Sequence, residues 1–136
     1  MKLVPYIHFN GNCREAIEFY RDCLNGTIES MQTFGDAPAM KVDDSLKNHV
    51  LHSVFKFGDN VIMASDTAGR TVTVGDNMRL SIDVPEAKTM DAIFNKMAVG
   101  GNITMPLQDT FWGARFGMLV DKFGIGWMFN CDEKKK

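Results

Sequence analysis

Long apolar runs and a clustered excess of either charge are both missing from this sequence. No apolar run approaches the roughly 20 residues of a membrane-spanning helix, and the first residues lack the layout of a signal peptide. The chain carries 15 basic and 17 acidic side chains, a net charge of -2, whereas nucleic-acid binding needs clustered Lys and Arg. The one basic run, Lys134 to Lys136, is interpreted as a solvated tail. The sequence therefore predicts a cytoplasmic protein that binds neither membranes nor nucleic acid.

Motifs that would identify a common reaction are also missing. The cysteines are odd in number and form no CxxC motif, which argues against a disulfide framework or a zinc site; we interpret Cys13, Cys23 and Cys131 as buried thiols. The sequence contains no phosphate-binding glycine loop and no Gly-x-Ser-x-Gly motif of a nucleophilic serine. Function must therefore be sought in less specific patterns.

A pattern of one strand, one helix and three strands occurs twice along the chain. The first half predicts a strand at 3–10, a helix after Asn12, and strands at 27–34, 49–57 and 61–65. The second half predicts a strand at 78–84, a helix opened by Pro85, and strands at 103–105, 111–120 and 125–131. Residues 1–66 and 77–131 are thus predicted as two βαβββ repeats. A Gly- and Thr-rich connector at 66–76 joins them within a single α+β domain that spans 1–136.

The two predicted helices share one spacing of apolar residues. Asn12 and Glu15 have the spacing of a capping box at the start of the first helix, and Asn25-Gly26 predicts its left-handed end. A shift of 74 positions places Ala16, Phe19, Tyr20, Cys23 and Gly26 on Met90, Ile93, Phe94, Met97 and Gly100. The repeat is weak in identity but clear in pattern.

The most unusual composition lies between Pro106 and Trp127. Two tryptophans and three phenylalanines stand there beside Gln, Asp and Arg, and aromatic rings with a few polar groups commonly line small-molecule pockets. Gln108 is placed after a strand, where it could orient a polar ligand group. Trp112 is a candidate for stacking on a flat ligand, with core packing as the alternative. Arg115 is a candidate partner for an anionic ligand, with a surface ion pair as the alternative.

Several segments resemble the PhnB-like branch of the vicinal oxygen chelate superfamily, which includes glyoxalase I, extradiol dioxygenases and bleomycin-resistance proteins. The matching segments are residues 5–13, Phe34-Gly35-Asp36 with Pro38, His52 before Gly58-Asp59, Ser65-Asp66, and residues 108–127. The resemblance covers essentially the whole chain. It implies two βαβββ modules whose curled mixed sheets surround a shared cleft, often within a homodimer.

The same resemblance implies where a metal would bind. The metal-dependent relatives carry His or Glu ligands at positions that fall on Pro5, Met63, Arg79 and Met128, none of which is a normal ligand of a divalent metal. A one-residue slip in the first strand would bring His8 into the cleft, but one histidine does not make a metal site. We therefore predict no cofactor and no metal ligand, with a divalent metal ion as the alternative.

Members of this branch often carry the label of a demethylubiquinone methyltransferase. The chain has no glycine-rich strand-to-helix loop of the kind that holds S-adenosylmethionine, and it is small for a doubly wound nucleotide-binding sheet. The label is therefore not adopted as the predicted activity.

His52 is the titratable residue that matches a histidine of this branch. It is interpreted either as a general base or hydrogen-bond donor to a ligand oxygen, or as a structural histidine beneath a loop. We predict ligand contacts from His8, Met63, Gln108, Trp112 and Arg115. The predicted function is binding of a small, partly aromatic molecule without a firmly held metal. One alternative is a glyoxalase- or dioxygenase-type lyase or oxidoreductase that uses His52 and a divalent metal. Another is a dimer whose cleft is filled by its own side chains.

Overall fold

The computed structural model describes residues 1–133, which belong to two compact units, Met1–Thr73 and Val74–Lys136. The boundary between the units falls inside the predicted connector at 66–76. The basic run at Lys134 to Lys136 lies outside the described residues. Within residues 1–133, no helix has both the length and the apolar character needed to cross a membrane.

The first unit contains one α-helix, two short 3₁₀ helices (Phe34–Asp36 and Asp44–Leu46) and a four-stranded mixed sheet. In chain order it comprises β1 (Tyr6–Phe9), α1 (Cys13–Leu24), β2 (Thr27–Thr33), β3 (Val50–Phe57) and β4 (Asn60–Asp66). The strand order is β1-β4-β3-β2; β1 runs parallel to β4, and the other pairs are antiparallel. The predicted βαβββ order is confirmed in this unit.

Helix α1 packs its apolar stripe against one face of this sheet. Its buried residues are Cys13, Ala16, Ile17, Tyr20, Cys23 and Leu24, at the spacing of an amphipathic helix. The helix ends at Asn25, which adopts the predicted left-handed conformation (φ 54°). All three cysteines of the chain are buried and none is in a disulfide, so their interpretation as buried thiols is confirmed.

The start of α1 differs from the prediction, because the Asn12 side chain makes no capping hydrogen bond. Instead, the buried carboxylate of Asp66, at the end of β4, accepts from the backbone N–H groups of Gly11 (2.9 Å) and Cys13 (3.0 Å). Its second oxygen accepts from the N–H of Val50 (2.9 Å). A buried carboxylate with three donors is a stronger cap than a local amide, and it connects α1, β3 and β4.

The second unit repeats this arrangement. It comprises β5 (Arg79–Asp83), α2 (Ala87–Met97), β6 (Asn102–Asp109), β7 (Ala114–Val120) and β8 (Gly126–Asp132), with strand order β5-β8-β7-β6. Strands β5 and β8 are parallel, and the other pairs are antiparallel. Pro85 does not open the helix as predicted: Glu86 is the extended N-cap residue, and α2 begins at Ala87.

The two helices start 74 residues apart, as the shift predicts. Ala16, Tyr20 and Cys23 are buried, and so are their counterparts Met90, Phe94 and Met97. After the helices, equivalent positions of the two units are 75 residues apart. Asn25 and Gly100, which follow α1 and α2, are the equivalent residues with positive φ angles. Gly26 and Gly101 then come so close to a strand that a Cβ atom would lie 2.5 Å from the Lys56 carbonyl oxygen and 2.3 Å from that of Val120.

Each unit thus consists of a mixed four-stranded sheet with one α-helix on one face, which confirms the predicted α+β class. We call the opposite face of each sheet its helix-free face. Side chains alternate between the two faces along a strand, and residues paired across strands lie on the same face. This alternation decides which candidate residues lie together.

Candidate functional site

The helix-free face of the first sheet brings several candidate residues together. Ser53, Phe55, Ile62 and Ala64 are buried on the α1 side. Their neighbours along the strands point the other way. Tyr6 pairs with Met63, His8 pairs with Ser65, and His52 precedes buried Ser53 on β3. The helix-free face of this sheet therefore carries Tyr6, His8, His52, Met63 and Ser65.

Tyr6 lies between the two histidines of this face. Its hydroxyl group is 3.1 Å from Nδ1 of His52, and the two rings are nearly parallel, with centroids 5.7 Å apart. The centroid of the His8 ring is 5.1 Å from that of Tyr6, and His8 Nδ1 lies 3.2 Å from Oγ of Ser65. Tyr6 remains 42% exposed, so this aromatic cluster is open to a ligand.

The Tyr6–His52 hydrogen bond has a direct chemical consequence. If the phenol O–H donates to Nδ1, then Nε2 of His52 carries the proton and can donate to a ligand oxygen. If Nδ1–H donates to the phenol oxygen, then Nε2 has a free lone pair and can accept a proton. Since one ring nitrogen is already engaged, the second is the atom of His52 that a ligand would meet.

The helix-free face of the second sheet contains Gln108. This residue lies on β6 and not in a loop, because β6 extends to Asp109. Gln108 pairs with Phe116, which pairs in turn with Asn130. On the next rows of the same face, Met118 pairs with Met128, and Arg79 pairs with Gly126. This face therefore combines apolar side chains with several polar ones.

Trp112 lies in the turn between β6 and β7, where the sequence predicts a strand. Its ring lies edge-on to that of Phe116 on β7, with centroids 5.9 Å apart. The ring of the neighbouring Phe111 is also edge-on to it, with centroids 5.0 Å apart. Trp112 is 56% exposed and Phe111 is 97% exposed. By contrast, Trp127 is fully buried and donates from Nε1 to the buried carboxylate of Asp121 at 2.8 Å. The ring of Trp112 is therefore accessible from solvent, whereas that of Trp127 is not.

Arg115 lies on the helix side of the second sheet, on the face opposite to that of Gln108 and Phe116. Its Nε and Nη2 atoms donate to the two carboxylate oxygens of Asp91 on α2, at 3.0 and 3.3 Å. These hydrogen bonds raise the pKa of Arg115. Asp109 is a more distant partner, 3.7 Å from Nη1. The geometry corresponds to the ion pair that was weighed as the alternative for Arg115.

A surface pocket of about 320 Å³ in the second unit has Arg115 and Asp109 in its wall, together with Glu133. A hydrogen bond with Asp109 and the nearby charge of that residue raise the pKa of the Glu133 carboxyl group. This pocket lies beside the ion pair and contains none of the other predicted ligand-binding residues. The residues that line it include no member of the aromatic cluster.

The metal positions implied by the resemblance do not suit a metal ion. The Pro5 carbonyl group accepts a hydrogen bond from the N–H of Met63 within the sheet, Arg79 carries a cationic guanidinium group, and Met128 offers only a thioether. Within residues 1–133, no three side chains among His, Cys, Asp and Glu come close enough together to hold a metal. The donor set on the helix-free faces does not fit a divalent cation.

The structure therefore groups three of the predicted residues, His8, His52 and Met63, on the face of one sheet. Gln108 and Trp112 belong to the second unit, at Phe116. Tyr6 and Ser65 were not predicted as site residues. The alternation of the first strand contained the signal, since Tyr6 stands two residues before His8 and must share its face.

Comparison with known proteins identifies close relatives. The family model for 3-demethylubiquinone-9 3-methyltransferase matches residues 1–129. The chain is 31% identical to protein YjdN of Escherichia coli over 96% of this chain and 95% of YjdN. It is 39% identical to protein PA1353 of Pseudomonas aeruginosa, with a TM-score of 0.89 and coverage of 98% and 99% of the two chains.

Two further solved structures have a similar fold. The PhnB protein of Bacillus cereus is 26% identical, with a TM-score of 0.81 and coverage of 96% and 99% of the two chains. A glyoxalase/bleomycin resistance/dioxygenase domain from Frankia is 12% identical, with a TM-score of 0.70 and coverage of 100% and 95%. At that identity the Frankia domain indicates the fold alone, and it confirms the predicted glyoxalase-like architecture.

Proposed function

The chain belongs to the PhnB-like family, whose model is described as 3-demethylubiquinone-9 3-methyltransferase, and we propose that it binds a small, partly aromatic molecule without a firmly held metal. The helix-free face of each sheet, taken by itself, is a candidate binding surface. The proposal covers binding and does not include methyl transfer.

The observation that carries this proposal is the open aromatic cluster of Tyr6, His8 and His52. The centroid of the Tyr6 ring lies within 6 Å of the centroids of both histidine rings, and Tyr6 pairs with Met63, whose thioether is flexible. Both histidines have one ring nitrogen engaged by a neighbouring hydroxyl group. Small-molecule sites commonly combine aromatic rings that stack on the ligand with a few oriented polar atoms.

The family description implies S-adenosylmethionine, and the strand-to-helix connections do not fit that cofactor. In the first unit, the N–H groups of Gly11 and Cys13 already donate to Asp66. In the second unit, the connection contains Pro85, which has no N–H, and the N–H of Val84 donates to the Asn130 carbonyl group. In each connection, some of the backbone donors that a nucleotide-binding turn would use are therefore engaged or missing.

A second candidate function is acid–base catalysis by His52. The Tyr6 hydroxyl group at 3.1 Å favours it, because this hydrogen bond orients the imidazole ring and fixes which nitrogen is available. In this case a bound substrate would lose or gain a proton at Nε2 of His52. Slow exchange of a substrate C–H proton with deuterated solvent, abolished in His52→Gln, would distinguish this function from binding alone.

Thermal unfolding of chelator-treated protein tests the proposal. We would add a panel of flat aromatic compounds, with benzamide as the reference probe, and measure the unfolding midpoint with and without added Zn²⁺, Mn²⁺ or Mg²⁺. A ligand that binds only the folded state raises the midpoint, by an amount that grows with the logarithm of its concentration above Kd. We expect compounds in the panel to raise it equally with and without metal.

Two variants provide the contrast in this experiment. His52→Gln removes a ring of the cluster, whereas His49→Gln removes the one histidine that packs elsewhere, against Gly11. We expect the midpoint shift to shrink in His52→Gln and to persist in His49→Gln. A midpoint that responds only when metal is present would contradict metal-free binding.

A further inference from the structure

Arg79 lies on edge strand β5 of the second unit, and one nitrogen of its charged group lacks a hydrogen-bond partner among the described residues. This nitrogen, Nη1, is shielded from solvent, and no atom of residues 1–133 accepts a hydrogen bond from it. Within residues 1–133, the salt bridges of arginine involve Arg21 and Arg115 but not Arg79. A buried donor without an acceptor costs folding free energy, so a native chain that keeps one invites a functional explanation.

The position of this guanidinium group follows from its cross-strand neighbour. Arg79 pairs with Gly126 on the parallel strand β8. A Cβ atom on Gly126 would lie 3.0 Å from Cγ and 3.3 Å from Nη1 of Arg79. The glycine therefore leaves the space in which the arginine side chain lies across β8, on the helix-free face of the sheet.

The surroundings of Arg79 on this face do not neutralise its charge. Arg79, Ser81 and Asp83 alternate onto the same side of β5, and Asp83 lies at the far end of that strand, paired with Asn130. The methionine on the neighbouring row, Met128, is apolar. A cation beside apolar side chains such as Met128 is suited to an anion that carries an apolar body.

The geometry points to Arg79 as the anchor for an oxyanion group of the ligand, either a carboxylate or a phosphoryl group. Its planar guanidinium group can donate two parallel hydrogen bonds to either anion. The aromatic part of the ligand would then lie on the apolar remainder of the helix-free face. This inference rests on the proposed function, because it assigns a charge to the molecule that the helix-free face of the second sheet would bind.

A matched pair of probes separates the two claims. Benzoate and benzamide have nearly the same shape and differ in charge, and their affinities can be measured by NMR titration of the full-length protein. We expect benzoate to bind about tenfold more tightly than benzamide, as one charge-assisted contact would produce. Arg79→Met should reduce this ratio of affinities to about one. Arg79→Gln should do the same, so that a folding defect in one variant does not decide the result.

Arg21→Met is the matched control, since it removes an arginine whose partner, Asp22, lies on α1. We expect the tenfold ratio to persist there. If benzamide binds but benzoate binds no more tightly, this inference is overturned while the proposed function stands. The same holds if the tenfold ratio of the two affinities persists in both Arg79 variants. If neither probe binds, both are overturned.

The free protein offers a second readout. Because Nη1 has no partner, replacing Arg79 with Met should raise the unfolding midpoint in the absence of ligand. Inorganic phosphate should raise the midpoint of the wild-type protein and of Arg21→Met, but not that of Arg79→Met. An identical response to phosphate in all three proteins would also overturn the inference.

Discussion

The hydroxyl group of Tyr6 lies 3.1 Å from Nδ1 of His52, although the two residues are 46 positions apart in sequence. They meet because β1 pairs in parallel with β4, and β4 pairs with β3. This sheet order brings the first strand of the unit within reach of the third, and it places both rings on the helix-free face.

Removing the Tyr6 hydroxyl group should weaken ligand binding without unfolding the protein. In Tyr6→Phe the ring remains but His52 loses its orienting hydrogen bond, which is worth about 1 kcal/mol. We expect benzamide to bind roughly fivefold more weakly, measured by calorimetry or NMR. Tyr20→Phe alters the only other tyrosine, which is buried on α1, and should leave affinity unchanged. Equal losses in both variants would argue against a site at Tyr6.

Asp66 should be a main determinant of stability. Its carboxylate accepts from three backbone N–H groups at 2.9 to 3.0 Å, and an amide in its place offers only one acceptor oxygen. We expect Asp66→Asn to lower the free energy of unfolding by about 3 kcal/mol, measured by urea denaturation. Asp22→Asn, on the exposed surface of α1, should change it by less than about 0.5 kcal/mol. A small effect at Asp66 would show that other groups organise the start of α1.

Arg115 should matter for stability and not for ligand affinity. Its two hydrogen bonds to Asp91 are partly exposed, so we expect Arg115→Gln to cost about 1 kcal/mol of unfolding free energy. Asp91→Asn should cost a similar amount, and the double variant should cost less than the sum of the two. Benzamide affinity should be the same in all of these proteins. A selective loss of ligand affinity in Arg115→Gln would restore its predicted role as a ligand contact.

Cys13 should be chemically inert in the folded protein. Burial, followed by the nearby charge of Asp66, raises the pKa of its thiol group to about 12, so almost no thiolate forms at pH 8. We expect iodoacetamide at pH 8 to leave Cys13 unmodified for hours, as read by peptide mass spectrometry, and to modify it quickly in urea. Rapid labelling without urea would mean that α1 opens readily from the sheet.

Much of the fold could be predicted because local patterns agree with tertiary packing. The apolar stripe of α1 and its repetition 74 residues later both reflect burial against a sheet. The errors arose where distant groups override local signals. Asp66 takes the donors that an Asn12 cap would have used, and the hairpin of β6 and β7 carries β6 beyond Pro106 to Asp109.

The candidate site was harder to predict than the fold. Strand alternation places Tyr6 beside His8, but the contact of Tyr6 with His52 depends on the strand order β1-β4-β3, which no local pattern specifies. Arg115 faces α2 because of its register against Cys131 on β8. The shared cleft, the homodimer and the cytoplasmic location stay predictions.

The central claim is that a small aromatic molecule binds at Tyr6, His8 and His52. The most direct measurement is an NMR titration that follows the ring resonances of the chain's three histidines in chelator-treated protein as benzamide is added. We expect the His8 and His52 resonances to shift along one saturable curve while those of His49 stay fixed. Unchanged His8 and His52 resonances, or equal non-saturating drifts of all three, would contradict the account.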